Sequence, residues 1–246
     1  WPAFWMLPTD EEYGTWPRSG EIDVLESVNL KTADEDGGIE SSIHGTLHYG
    51  RAWPDNSYTG QEYKFPEDSN PADDFHTYAV EWQEGEIRWY VDGYLYATQR
   101  QSEVLYNSKG EAAGLKHRGW FAEYFEQGSG ELETHWDSAP YDKDFHLLLN
   151  LAVGGDWPEN VNELGVDASA FENGQTFAID YVRVYQCASN PDTGKGCETI
   201  RPGYDSLDDA LLEGEAPIPS PPSTGIATPL TIFGDSFNPN WPAWDC

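Results

Sequence analysis

The sequence predicts an all-β sandwich. Three observations carry the prediction: short runs of alternating, β-branched or aromatic residues, turn residues dividing them, and no long helical periodicity. Residues 1–8 (WPAFWMLP) read as a strand bound for the interior. Residues 21–26 (EIDVLE) form a second, and residues 44–50 (HGTLHYG) a third that places His44, Thr46 and His48 on one face. In residues 75–82 (FHTYAVEW) the alternation puts His76, Tyr78, Val80 and Trp82 together. Glu84-Gly85 then offers a turn, residues 87–91 return as a strand, and Asp92-Gly93 signals a tight hairpin into residues 94–97. Residues 145–153 (FHLLLNLAV) suit a strand buried on both faces, and residues 177–185 (FAIDYVRVY) a further strand.

The texture changes after Cys187. Residues 188–225 hold six prolines and an acidic stretch from Asp205 to Glu215, which reads as a linker. Residues 226–246 regain Leu230, Ile232, Phe233, Trp241 and Trp244 and read as the start of a second module. The chain opens on Trp1 inside a strand, as expected of a piece of a longer polypeptide. Cys187 and Cys197 bracket a turn-rich loop, a spacing that suits a local disulfide in an oxidising compartment or, alternatively, two free thiols.

The 246 residues include 13 basic and 44 acidic ones, a formal net charge of −31. Residues 187–246 contribute nine acidic and two basic residues, so most of the charge belongs to the folded part. Such a surface repels nucleic acid and anionic lipid, and no window approaches the ~20 apolar residues of a spanning helix. The 11 Trp and 14 Tyr demand burial or a ligand to stack on.

The most informative segment is Glu21-Ile22-Asp23-Val24-Leu25-Glu26. On a regular strand Glu21 and Asp23 share a face and Glu26 falls on the other. One bulge residue within Val24-Leu25 returns Glu26 to their face, with Ile22 and a valine or leucine turned inward. A row of carboxylates repels itself and gives a purely structural strand nothing. Retaining glycoside hydrolysis does need it: a nucleophilic carboxylate and a protonated acid ~5–5.5 Å apart, with a third carboxyl able to push their pKa values apart. An exposed acidic strand in a very acidic protein is the alternative. Trp16-Pro17-Arg18-Ser19-Gly20 leads directly into the cluster and Trp1 and Trp5 precede it, an aromatic frame suited to the apolar faces of a sugar.

Taken in order, WPAFWMLP, WPRSGEIDVLE, HGTLHYG, NLAVGGDWP and FAIDYVRVYQ resemble glycoside hydrolase family 16, in particular its bacterial laminarinase-like endo-β-1,3-glucanases. The resemblance covers residues 1–187 and implies a concanavalin-like β-jelly-roll whose concave sheet is an open cleft, here without the strands that precede WPAFW in relatives. It implies Glu21 as nucleophile, Asp23 as assisting carboxylate and Glu26 as general acid/base. The ExDxxE form, with its bulge, resembles laminarinases, lichenases, agarases and carrageenases. Trp1, Trp5 and Trp16 match positions that stack on glucosyl units, with core packing as the alternative, and His48 matches a histidine beside the cluster. Asp180 matches a calcium ligand whose companions lie upstream in relatives; the chemistry itself requires no cofactor. The implied protein is secreted and monomeric and cleaves β-1,3-glucan. A hydrolase of mixed-linkage glucan or agarose, or a non-catalytic β-glucan-binding protein, is the competing expectation.

Overall fold

Twelve strands organise the described residues of the computed structural model, which are 1–33, 37–117, 119–161 and 165–199. Strands β1 (Pro2–Pro8), β2 (Glu21–Glu26), β3 (Ser42–Tyr49) and β4 (Ser57–Lys64) join β12 (Phe145–Leu151) in one antiparallel sheet of order β12-β1-β2-β3-β4. Strands β5 (Tyr78–Gln83), β6 (Glu86–Val91) and β7 (Tyr94–Arg100) form a second sheet. Its Asp92-Gly93 turn has φ of +50° and +80°, the left-handed pair that matches the twist of a tight hairpin. Two hairpins complete the set, β8 (Glu103–Tyr106) with β9 (Ala112–His117) and β10 (Ala122–Phe125) with β11 (Leu132–His135).

The sandwich follows from alternation. Ile22, Val24 and Leu25 of β2 and Ile43, Leu47 and Tyr49 of β3 turn inward against Ile87, Trp89 and Val91 of β6 and Tyr96 of β7. Ile22, Ile43, Leu47, Ile87 and Trp89 are fully buried, each contributing about 1.5–3 kcal/mol through removal from water. Gly45 lets β3 settle on this layer, because a Cβ there would meet the Trp89 ring at 2.4 Å. The Trp89 indole in turn donates to the Asp23 carbonyl at 2.8 Å, so the core braces β2 from beneath.

Two strand expectations change. The 145–153 segment forms β12, but its side chains are half-buried on both faces and Asn150 is exposed, because among the described residues β12 is the last strand of its sheet and pairs with β1 alone. Residues 177–185 form no strand; beyond a single bridge at Val184 they make no ladder among the described residues. Phe177 packs against the core, while Ile179, Tyr181 and Tyr185 stay about half exposed. Residue propensity alone does not hold a strand without a paired neighbour.

Cys187 and Cys197 are disulfide-bonded. The loop they close packs on the second sheet: Glu84 N–H donates to the Thr193 carbonyl at 2.8 Å, and the Thr199 hydroxyl donates to Tyr90 Oη at 3.1 Å. The folded structure thus runs past Cys187 into the region expected to be linker. The rest of that stretch, up to residue 225, and the second module at 226–246 lie outside the described residues.

Candidate active site

The bulge stands where the sequence places it. Asp23 pairs with Thr46 and Glu26 with His44, so three residue steps on β2 span two on β3. The β1 ladder shifts register at the same point, with Trp5 opposite Asp23 and Phe4 opposite Leu25. Val24 and Leu25 both enter the core, and Glu21, Asp23 and Glu26 share the outer face.

Each carboxylate has a distinct setting. The Trp16 indole donates to Glu21 Oε2, and the Trp1 indole donates to Glu26 Oε1 at 3.0 Å. His48 Nε2 lies 3.3 Å from Asp23 Oδ2 and 3.8 Å from Glu21 Oε1. Below them the buried Tyr141 hydroxyl donates to the carbonyls of both Glu21 (3.2 Å) and His48 (2.9 Å), locking β2 to β3 at this level.

Burial and mutual repulsion raise the pKa of all three. Glu21 is pushed up to about 8, first by loss of water and then by the charge of Asp23, against the lowering pull of His48 and the Trp16 N–H. Asp23, at 1 % exposure, is raised well above the usual carboxylate range by burial and by Glu26. Glu26 is raised by burial, opposed by the Trp1 hydrogen bond. The row therefore retains protons at a pH where solvated carboxylates have lost them, and its members titrate together.

The remaining expected residues fall as follows. Trp5 sits beside Asp23, half-buried, and its indole donates to Asn150 Oδ1 at 2.6 Å. Trp16 is 42 % exposed over the Glu21 side. Asp180 is exposed and outside the cluster. A calcium ion takes about six to eight oxygens, and Asp180 belongs to no cluster of three or more acidic, histidine or cysteine residues among the described residues. Among the described residues, the group able to hold a metal ion is instead Glu21, Asp23 and His48, whose ligand atoms lie within 4.8 Å of one another.

Two aromatic neighbours escaped the sequence reading of the site. Trp157, at the start of helix α1 (Asp156–Asn160), stands edge-on to Trp1 at 5.4 Å and to His44 at 5.1 Å, beside Glu26. Its signal was the NLAVGGDWP motif itself. Tyr58 on β4 pairs with His48 and is 70 % exposed, and only the strand register reveals it.

An all-β sandwich with a bulged carboxylate strand framed by indoles defines a class, and the comparison agrees: the chain belongs to glycosyl hydrolases family 16, which matches residues 1–138. It is 37 % identical to the glucan endo-1,3-beta-glucosidase A1 of Niallia circulans over 187 residues, 76 % of this chain and 22 % of that protein. It is 35 % identical to the beta-glucanase of Rhodothermus marinus over 190 residues, 76 % of this chain and 52 % of that protein. Among solved structures, the laminarinase catalytic domain from Thermotoga maritima MSB8 aligns with a TM-score of 0.42 and 26 % identity, covering 72 % of this chain and 52 % of that one. The chain thus spans between about a fifth and a half of the relatives' own length.

Proposed function

We propose that the protein is an endo-acting, retaining hydrolase of β-1,3-linked glucan. The observation that carries this reading is the bulge at Val24-Leu25, which sets Glu21, Asp23 and Glu26 on one face of one strand. Glu26 holds the proton: burial raises its carboxyl, and it gives that proton to the leaving glycosidic oxygen. Glu21 attacks the anomeric carbon as that bond breaks, forming a glycosyl-enzyme ester. Glu26, now a carboxylate, takes a proton from water, whose oxygen displaces Glu21 and restores both residues.

A nucleophile must be ionised, and Glu21 on its own rises to about 8. Its reactive fraction therefore grows as pH climbs toward that value. The Trp16 N–H and the His48 ring stabilise the charge it then carries. Trp1, Trp5 and Trp16 supply faces for glucosyl rings. The Cys187–Cys197 disulfide supports action in an oxidising, extracellular setting.

The test is product analysis on laminarin, lichenan and agarose with NMR of the anomer released first. β-Anomer from laminarin supports the reading; initial α-anomer refutes the double displacement, and sugar release from agarose alone refutes the substrate. Glu21→Gln removes turnover and keeps glucan binding.

A further inference from the structure

We propose that Glu21, Asp23 and His48 form a three-ligand site for zinc or a divalent cation of its class, and that the bound metal reversibly switches the hydrolase off. The binding stands on geometry alone, and its effect on turnover rests on the glycosidase reading. Each of the three side chains offers one ligand atom, and these atoms lie within 4.8 Å of one another. Zinc holds nitrogen and oxygen ligands at about 2.0–2.1 Å, which sets the corners of a tetrahedron about 3.3–3.4 Å apart. His48 Nε2 and Asp23 Oδ2 already stand 3.3 Å apart. His48 Nε2 lies 3.8 Å from Glu21 Oε1, so a shift of roughly 0.4 Å in Glu21 completes three corners.

Asp23 is the informative residue. It is 1 % exposed, and neither carboxylate oxygen has a hydrogen-bond partner among the described residues. A carboxylate withdrawn this far from water is costly unless something takes its lone pairs. His48 faces it without hydrogen-bonding to it, so its oxygens are available to ligate. Glu21 is divided in the same sense: the Trp16 indole holds Oε2, while Oε1 turns toward His48. Both His48 and Glu21 keep part of their side chains in solvent, which gives an ion its way in. One nitrogen with two oxygens suits zinc, copper or cobalt better than calcium, which takes about six to eight oxygens. His48 Nδ1 is buried without an acceptor. The ring thus lacks the brace that tightens a permanent zinc centre, a difference of about 10–100-fold in affinity, and the binding is reversible. A metal on Glu21 takes the lone pair that attack on the anomeric carbon requires, so metal and turnover exclude each other.

Isothermal titration of the intact protein with zinc chloride, in neutral buffer free of chelators, reads the site directly. Wild type should bind one equivalent that His48→Gln and Asp23→Asn each weaken by about tenfold or more. His76→Gln, which removes the histidine paired with Asp92 away from the cluster, should keep it. Copper(II) added to wild-type protein should show coupling to one imidazole nitrogen in electron paramagnetic resonance, a readout that needs no variant to fold. Zinc binding equal in wild type and His48→Gln, loss of it in His76→Gln, or copper without imidazole coupling overturns the site. In laminarin digests zinc should suppress sugar release and a chelator should restore it; full turnover by zinc-saturated protein overturns the switch. Metal-free wild type that releases no sugar from any β-glucan refutes the glycosidase reading instead, while titration and resonance still decide the metal site.

Discussion

Replacing Glu21 by glutamine should stabilise the fold, and by an amount that grows with pH. Glu21 is ordinary in the unfolded chain, near 4.5, and rises to about 8 in the folded one. For a group raised on folding, its contribution is fully present below the unfolded value and is lost as pH climbs through the folded one. The loss therefore develops between pH 4.5 and about 8. At ~1.36 kcal/mol per pH unit it amounts to about 1 kcal/mol at pH 5 and about 3 kcal/mol at pH 7. The Glu21 side chain is 13 % exposed, so little of this is screened by bulk water. Glutamine keeps the shape and the acceptor for the Trp16 N–H but carries no charge. Thermal unfolding of both proteins from pH 4.5 to 8.5, in chelator-treated buffer, reads the effect. At about 2–4 °C per kcal/mol for a domain of this size, the advantage of Glu21→Gln should widen by roughly 4–8 °C between pH 5 and pH 7. A constant difference, or one that narrows as pH rises, would show that Glu21 is not held above its ordinary range.

Two further outcomes follow from the same cluster. Asp23 raises Glu21 and His48 lowers it, so Asp23→Asn should move the acid limb of the kcat/KM profile down and His48→Gln should move it up; shifts in the same direction would contradict the charge assignment. Deleting Val24 regularises the strand, since the partner residues Thr46 and His44 are already two apart. That deletion should cost about 1–3 kcal/mol for the lost core side chain and leave measurable turnover in a reducing-sugar assay, whereas deleting Val24 and Leu25 together turns Glu26 inward and abolishes it.

What could be read in the sequence was whatever local parity decides. Glu21, Asp23 and Glu26 differ by two and three positions, so a shared face demanded a bulge, and the hydrophobic pair Val24-Leu25 was the only place for it. The faces of His44, Thr46 and His48 followed from the same alternation. Burial across the molecule was less legible. The apolar run at 145–153 is chemically a core strand, yet its exposure depends on which strands flank it, and among the described residues β12 has one ladder. The 177–185 segment shows propensity without pairing in the same way. Tyr58 and Trp157 join the site through register and a loop closure that brings residue 157 to residue 1, distances no local pattern encodes.

The disulfide-closed loop carries a mechanical consequence. Trp89 faces the carboxylate strand, whereas Tyr90, to which Thr199 is bonded, faces the opposite way on the same strand. Thr199 therefore lies on the face of β6 turned away from the carboxylates. The loop and the carboxylate strand thus hold β6 from its two faces, the loop through the Tyr90 hydroxyl and the strand through the Trp89 indole.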